Sequence, residues 1–491
     1  MESSTKEQEQ QHIILLPFLA QGHLRPFLHL AHRLLSLTPF NLSLLTTPLN
    51  AANLRRQSDN FNINLNIIEL PFTSTDHGLP PNTENTDKLS LTSIIKLFHA
   101  STSLEPHVRD YLTRHHLHDP PVCIIFDVFL GWADNVARSV GSTGICFNTG
   151  GAYGVGAYVS IWSNLPHRNV GDDEEFSLAG FPEDRKLRRN QLHRFLRFAD
   201  GSDEWSRFFQ PQIKSSLNCS GWLCNSIEEI EPLGFQVFRN FTKSPIWGIG
   251  PLIMTSSKKD DDEKEEACLR WLNQFENDSV LYICFGSQNT VTPIQMMELA
   301  KGLEESKIPF LWVIRPPFGF DFNGEFKPEW LPEKFEERMM EKKQGMLVRD
   351  WVPQLDILRH EATGGFLSHC GWNSVLEGLR EGVPILGWPL AAEQAYNSKM
   401  MVEEMGVAVE LTRGLEGEVK KEWVKSVVEM VLDRKEGSCG WEMKKKAVEI
   451  GEKLKDAWKI EGDYKGSSVK AMDNFVEFIV SCRGKKSKED A

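Results

Sequence analysis

Long apolar runs are missing from this chain. No stretch approaches the roughly 18 to 20 apolar residues that a membrane-spanning helix requires, so no transmembrane segment is expected. A basic start followed by an apolar run is missing as well. Met1 to Gln11 is polar and acidic, which argues against a secretory signal. Clustered cysteines are absent: nine are scattered singly, and the closest, Cys219 and Cys224, have no second pair to complete a zinc site. Their odd number and the lack of a secretory context read as reduced thiols in a cytoplasmic protein. Positive charge is also in deficit. A formal net charge of -13 argues against nucleic acid as a partner, because phosphate backbones need a basic face. One small anionic ligand needs only a few local donors, so the acidity leaves that open.

What the chain does have is the composition of a globular protein, 41% hydrophobic and 25% charged. Its 491 residues exceed the usual size of one core, so two domains are expected. Short apolar runs recur between amphipathic stretches. In the first half they are His12 to Phe18, Asn41 to Thr46, Leu65 to Leu70, Val122 to Phe126 and Gly144 to Asn148. In the second they are Val280 to Phe285, Phe310 to Ile314, Gly345 to Val348, Gly365 to Ser368 and Val383 to Gly387. Runs apolar on both faces read as buried parallel strands with helices between them, and two such sets predict two doubly wound α/β domains. The charge run within Thr255 to Glu266 reads as a solvated linker. Its Asp260-Asp261-Asp262 triplet matches an Asp-x-Asp metal pattern, but nothing apolar flanks it to build a dry pocket around an ion. Ser467 to Val480 alternates like an amphipathic helix that closes the structure by packing back. The expected division is residues 1–253, a linker at 254–267, a second domain at 268–465, a returning helix at 466–483 and a polar tail at 484–491.

The stretch from Trp351 to Gln394 carries the chemistry. Gly364 to Ser368 reads as a strand and Val375 to Arg380 as a helix, joined by the turn His369-Cys370-Gly371-Trp372-Asn373-Ser374. Such a turn aims free backbone N–H groups and a helix N-terminus at a ligand, which suits phosphate. His369 can donate to a phosphate oxygen and Gly371 permits close backbone approach. Glu377 can accept from ribose hydroxyls, and Trp351 offers a flat face to a base. Read alone, the turn is equally a capped helix after a core strand.

The whole block resembles, at nearly every defining position, the 44-residue signature of the plant secondary product glycosyltransferases, family 1 with GT-B architecture. The likeness extends to Gln21-Gly22-His23, Phe285-Gly286-Ser287 and the His360 segment. It implies a fold of two Rossmann-like domains facing a crevice and assigns roles. Trp351 matches the uracil-stacking position, with Val352 beside it, and Gln354 lies near the ribose and base. His369, Asn373 and Ser374, with Gly371 in their turn, match diphosphate contacts, and Ser287 matches a further one. Glu377 matches the ribose carboxylate, and Trp372, Glu393 and Gln394 match the residues holding the sugar hydroxyls. A final Gln resembles enzymes that prefer glucose, which favours UDP-glucose over UDP-xylose, UDP-rhamnose or UDP-glucuronate.

Transfer to a hydroxyl needs a base, and His has a pKa near the working range. His23 follows a strand and sits in a loop before a helix from Pro26 to Leu37, with Pro26 suited to the first turn. Taken alone it is a surface histidine; the resemblance makes it the catalytic base. Asp127 ends the run Val122 to Phe126, where it can cap a helix or orient an imidazole, and the resemblance favours the His–Asp pair. The implied reaction is a single inverting displacement that needs no metal and no cofactor beyond the UDP-sugar. The expected partners are that donor and a small, fairly apolar hydroxylated acceptor, and the chain is expected to be a monomer. Phe129, Trp132, Phe147 and Tyr153 are candidates for an apolar acceptor wall or for plain core. Gly150 to Gly156 lacks P-loop spacing and reads as a pocket wall or a close-packed helix start. Ser74 to Thr102 and Asp172 to Phe209 are expected to shape the acceptor pocket. Rival readings are a GT-B-shaped binding protein without catalysis and a nucleotide-sugar epimerase.

Overall fold

A computed structural model describes residues 11–61, 63–89, 93–254, 263–321, 324–349 and 352–489; for Lys88, Arg194, 263–266 and 484–489 it describes the backbone only. Trp351 and the Asp260-Asp261-Asp262 triplet lie outside the described residues.

The apolar runs become two parallel sheets. The first contains β1 (His12–Leu16), β2 (Asn41–Thr46), β3 (Asn66–Glu69), β4 (Cys123–Asp127), β5 (Thr143–Asn148), β6 (Gly221–Cys224) and β7 (Ile246–Gly248), in the order β3-β2-β1-β4-β5-β6-β7. The second contains β8 (Val280–Cys284), β9 (Phe310–Val313), β10 (Gly345–Val348), β11 (Thr363–Ser368), β12 (Ile385–Gly387) and β13 (Ala408–Glu410), in the order β10-β9-β8-β11-β12-β13. Each sheet reverses direction beside its first strand, at β1/β4 and at β8/β11. That is the switch point at which a doubly wound sheet opens a crevice at its carboxyl edge. The strands are near-continuously buried because helices cover both faces.

Three boundaries differ from the sequence reading, each for a local reason. Helix α1 spans Gln21–Leu37, so His23 lies in its first turn and Pro26 lies inside it. Leu24 donates to Ala20 O at 2.8 Å, which starts the helix before the proline. Helix Glu263–Leu272 begins within the stretch expected to be linker, because Cys268 and Leu272, one turn apart, bury against β8 and β9 residues. The expected tail continues as backbone of helix Ser467–Glu489.

Met472, Phe475 and Ile479 of that last helix share a core cluster with Ile13, Leu15 and Ile145 of the first sheet. Another cluster joins the halves. Tyr153, Ala157 and Trp162 of α2 (Ala152–Asn164) belong to the same buried group as Trp372, Tyr396 and Met400. Glycine permits this approach: a Cβ on Gly154 would lie 2.1 Å from Asn397 Oδ1. The Gly150–Gly156 stretch is thus both a close-packed helix start and, through Gly150 and Val155, cleft wall. No helix among the described residues is long and apolar enough to cross a membrane.

Candidate active site

Between the carboxyl edges of the two sheets lies a cleft of about 1010 Å³. His23, Ser287, Val352, Gln354, His369, Gly371, Trp372, Asn373, Ser374, Glu377, Glu393 and Gln394 all line it. The structure therefore gathers every described donor-site candidate and the expected base around one space, although they are spread over most of the sequence. Asp127 stands one layer behind, fully buried.

On the first-sheet side, His23 Nδ1 lies 2.6 Å from Asp127 Oδ2 and 3.3 Å from Thr149 Oγ1, leaving Nε2 to the cleft. Asp127 Oδ1 accepts from Phe129 N at 3.0 Å, capping the short helical turn Val128–Leu130. The two sequence-level readings of Asp127, cap and histidine partner, both hold, one per oxygen. Burial pushes the His23 imidazole down, but the Asp127 charge and hydrogen bond, with Glu393 assisting, outweigh it and hold its pKa above the ordinary value. Phe129 lines the cleft with Val155, Tyr158, Val159 and Ile213. Trp132, Phe147 and Tyr153 are core. Neither Ser74–Thr102 nor Asp172–Phe209 supplies lining among the described residues; they back it, as when Phe98 packs on Phe18 at 4.5 Å and on Phe129 at 5.4 Å.

On the second-sheet side, α3 (Trp372–Arg380) follows β11 directly, so Trp372, Asn373 and Ser374 form its first turn rather than a loop. Cys370, buried in the turn before it, takes a left-handed φ of 62°. Ala392, just before Glu393, takes φ 51°. Non-glycine residues held in that region are strained, and such strain gathers at functional loops. The His369 ring sits between Gly286 and Gly371, where a Cβ would come within 2.7 and 2.4 Å of it. Burial drives its pKa down to about 4, so the ring is neutral at neutral pH, and its Nδ1 has no partner among the described residues.

Gln354 is the hub of the deep end. It accepts from Tyr282 Oη at 3.2 Å and donates to Ser374 Oγ at 3.1 Å and Glu377 Oε2 at 2.6 Å. Burial pushes the Glu377 carboxyl up, partly opposed by Arg25 across the cleft and by the Gln354 hydrogen bond. Gln394 caps its own loop, accepting from Leu390 N and Ala391 N at 2.9 Å through Oε1, which leaves its Nε2 donors for a ligand. Glu393 is raised by burial and accepts from Asn397 Nδ2 at 3.2 Å. The Trp372 indole N–H donates to Asn225 O at 2.7 Å, tying the two halves together.

Sequence reasoning missed Tyr282, Arg25 and Thr149. Tyr282 had a signal, a hydroxyl in the middle of an apolar strand, which must find a partner when buried. Arg25 had another, a cation in the first turns of a helix, where the macrodipole disfavours it. Thr149 had none.

A doubly wound pair of sheets with a His–Asp couple facing an anion-ready helix N-terminus defines a class of group-transfer enzyme acting on a nucleotide-linked donor. Comparison with known proteins makes the class specific. The family model described as UDP-glucoronosyl and UDP-glucosyl transferase matches residues 254–437. UDP-glycosyltransferase 92A1 of Arabidopsis thaliana is 42% identical over 475 residues, covering 95% of this chain and 96% of the relative. Crocetin glucosyltransferase 3 of Crocus sativus is 41% identical over 443 residues, covering 87% and 92%. Among solved structures, Glycyrrhiza uralensis UGT73P12 complexed with glycyrrhetinic acid 3-O-monoglucuronide superposes with a TM-score of 0.81 at 26% identity, covering 98% of each chain. Phytolacca americana UGT2 complexed with UDP-2fluoro-glucose and pterostilbene gives 0.77 at 28%, covering 96% of this chain and 100% of that one. The chain belongs to the UDP-glycosyltransferase family, with the GT-B fold of its plant members.

Proposed function

We propose that this enzyme transfers glucose from UDP-glucose to a hydroxyl of a small, largely apolar plant metabolite with inversion at the anomeric carbon, giving a β-glucoside. The observation that carries the reading is the His23–Asp127 pair at 2.6 Å, on the cleft wall opposite the α3 N-terminus. Asp127 accepts a hydrogen bond from Nδ1–H and so fixes the tautomer with the Nε2 lone pair toward the cleft. Nε2 takes the acceptor proton, the acceptor oxygen bonds to the anomeric carbon, and the bond from that carbon to the diphosphate breaks with UDP as leaving group. The charge arriving on UDP is met by the α3 N-terminus, Ser287 and the neutral His369 ring, donors that serve in place of a metal ion.

Within the donor site, Glu377 accepts from ribose and Gln354 holds Glu377 and Ser374 in place. Gln394 Nε2 and Glu393 bind sugar hydroxyls. A relative named crocetin glucosyltransferase supports glucose as the sugar. The acceptor lies against Phe129, Val155, Tyr158 and Ile213, surfaces that favour flat or bulky apolar skeletons such as phenolics, flavonoids, terpenoids or hormones. Arg25 favours a second donor reading. It lines the same cleft, with no ion pair among the described residues, and would suit the extra carboxylate of UDP-glucuronate.

Incubation with UDP-glucose or UDP-glucuronate and a mixed phenolic and terpenoid acceptor set, read by mass spectrometry, tests both. A hexose added to an acceptor supports the reading. An altered UDP-sugar with no acceptor product would sink it, and preference for the uronate would move it to the second donor.

A further inference from the structure

Pro26 stands inside α1, four residues after Gly22. A proline has no N–H, so the Gly22 carbonyl, which would otherwise accept from residue 26, is left without its helical donor. That carbonyl accepts instead from Asn373 Nδ2, at 3.3 Å, across the cleft. Gly22 immediately precedes His23, and Asn373 sits in the first turn of α3 among the cleft-lining residues. The side-chain amide of Asn carries two N–H donors. One faces Gly22, and the other, with no partner among the described residues, is open to an anion at the α3 N-terminus.

We propose that Asn373 is a positioning residue that couples occupation of the donor site to the placement of His23 through the Gly22 carbonyl, which Pro26 makes available. The inference rests on the reading that the UDP diphosphate binds at the α3 N-terminus. A diphosphate oxygen held by one N–H of Asn373 fixes the amide, and the other N–H then fixes the first turn of α1. Donor binding thereby orders the base before the acceptor arrives. The other ties between the halves near this point have a different character. Trp372 to Asn225 O is buried, and Gln288 reaches Thr86 and Asp87 (2.8 Å to Asp87 Oδ1), away from the residue that bears the base.

The test uses UDP alone as probe, with the full-length protein, and reads amide hydrogen exchange of the peptide covering residues 21–30 alongside the UDP dissociation constant from calorimetry. In the wild type, saturating UDP slows exchange of that peptide by about threefold or more. In Asn373→Ala, measured at UDP concentrations that saturate the variant, the slowing is lost. Pro26→Ala, which gives Gly22 O a donor within the helix, keeps the UDP affinity within about twofold while shrinking the UDP-dependent slowing. A purely structural role would change exchange without UDP but leave the response to UDP intact. An unchanged peptide in wild type with UDP bound, or full slowing retained in Asn373→Ala, overturns the coupling. Failure of UDP to bind the wild type overturns the donor-site reading itself.

Discussion

At the scale of single residues, Asp127 does two jobs with two oxygens, capping a turn with one and aligning His23 with the other. If His23 is the base, His23→Ala lowers kcat by about two to four orders of magnitude while UDP still binds; near-normal turnover would contradict the assignment. The raised His23 pKa also sets a pH dependence. The base works unprotonated, so kcat/KM climbs with pH through an apparent pKa above the ordinary 6.5 of an imidazole. Burial already pushes that value down, and Asp127 is what lifts it. Asp127→Asn should therefore move the acid limb to lower pH as well as lower the maximum, and an acid limb that stays put would separate Asp127 from His23. The gathering of these residues at one cleft was legible because His23, Asp127 and the donor block match a known signature. Trp372 shows where such matching stops: no spacing rule says that its indole N–H would be committed to Asn225.

At the scale of elements, the strand runs of the sequence all appear as strands, because a segment buried on both faces has to be apolar throughout. In the two large sheets, the strands that no such run marks, β6, β7 and β13, are only three or four residues long and complete one outer side of each sheet. Helix starts were harder. Pro26 reads as a first-turn residue, yet the helix starts five residues earlier, and the α3 start at Trp372 was hidden by a motif that looks like loop. The packing of α2 on α4 (Gln394–Met400) gives a sharp test. Gly154→Ala puts a methyl against Asn397 Oδ1, whose amide also holds Glu393. It should cost about 1–3 kcal/mol by overpacking, seen as a lower melting temperature, and should raise the KM for the UDP-sugar. An unshifted melting temperature would mean that the two helices separate freely.

At the scale of the molecule, the two halves meet through a shared apolar cluster and a few cleft-edge hydrogen bonds, and half-buried histidines tie its stability to pH. Burial holds His29 at about 3 and His12, His193 and His369 at about 4, with neighbouring cations adding to the effect at His29 and His193. Their folded values lie below the unfolded one, so this stability is complete above about pH 6.5 and is lost as pH falls toward 4, where the unfolded chain binds protons the folded chain refuses. The melting temperature should drop across that window. His29→Gln, which keeps an amide donor for Leu252 O, should drop less. A flat or rising profile would contradict the burial of these rings.

Following the anomeric signals by proton NMR during turnover separates inverting transfer from every rival reaction. With UDP-glucose and an acceptor identified by the mass-spectrometric screen, the α-configured donor signal should decline as a β-glucoside signal grows in step with released UDP. An α-linked product, or a UDP-sugar epimer formed without any glycoside, would contradict it.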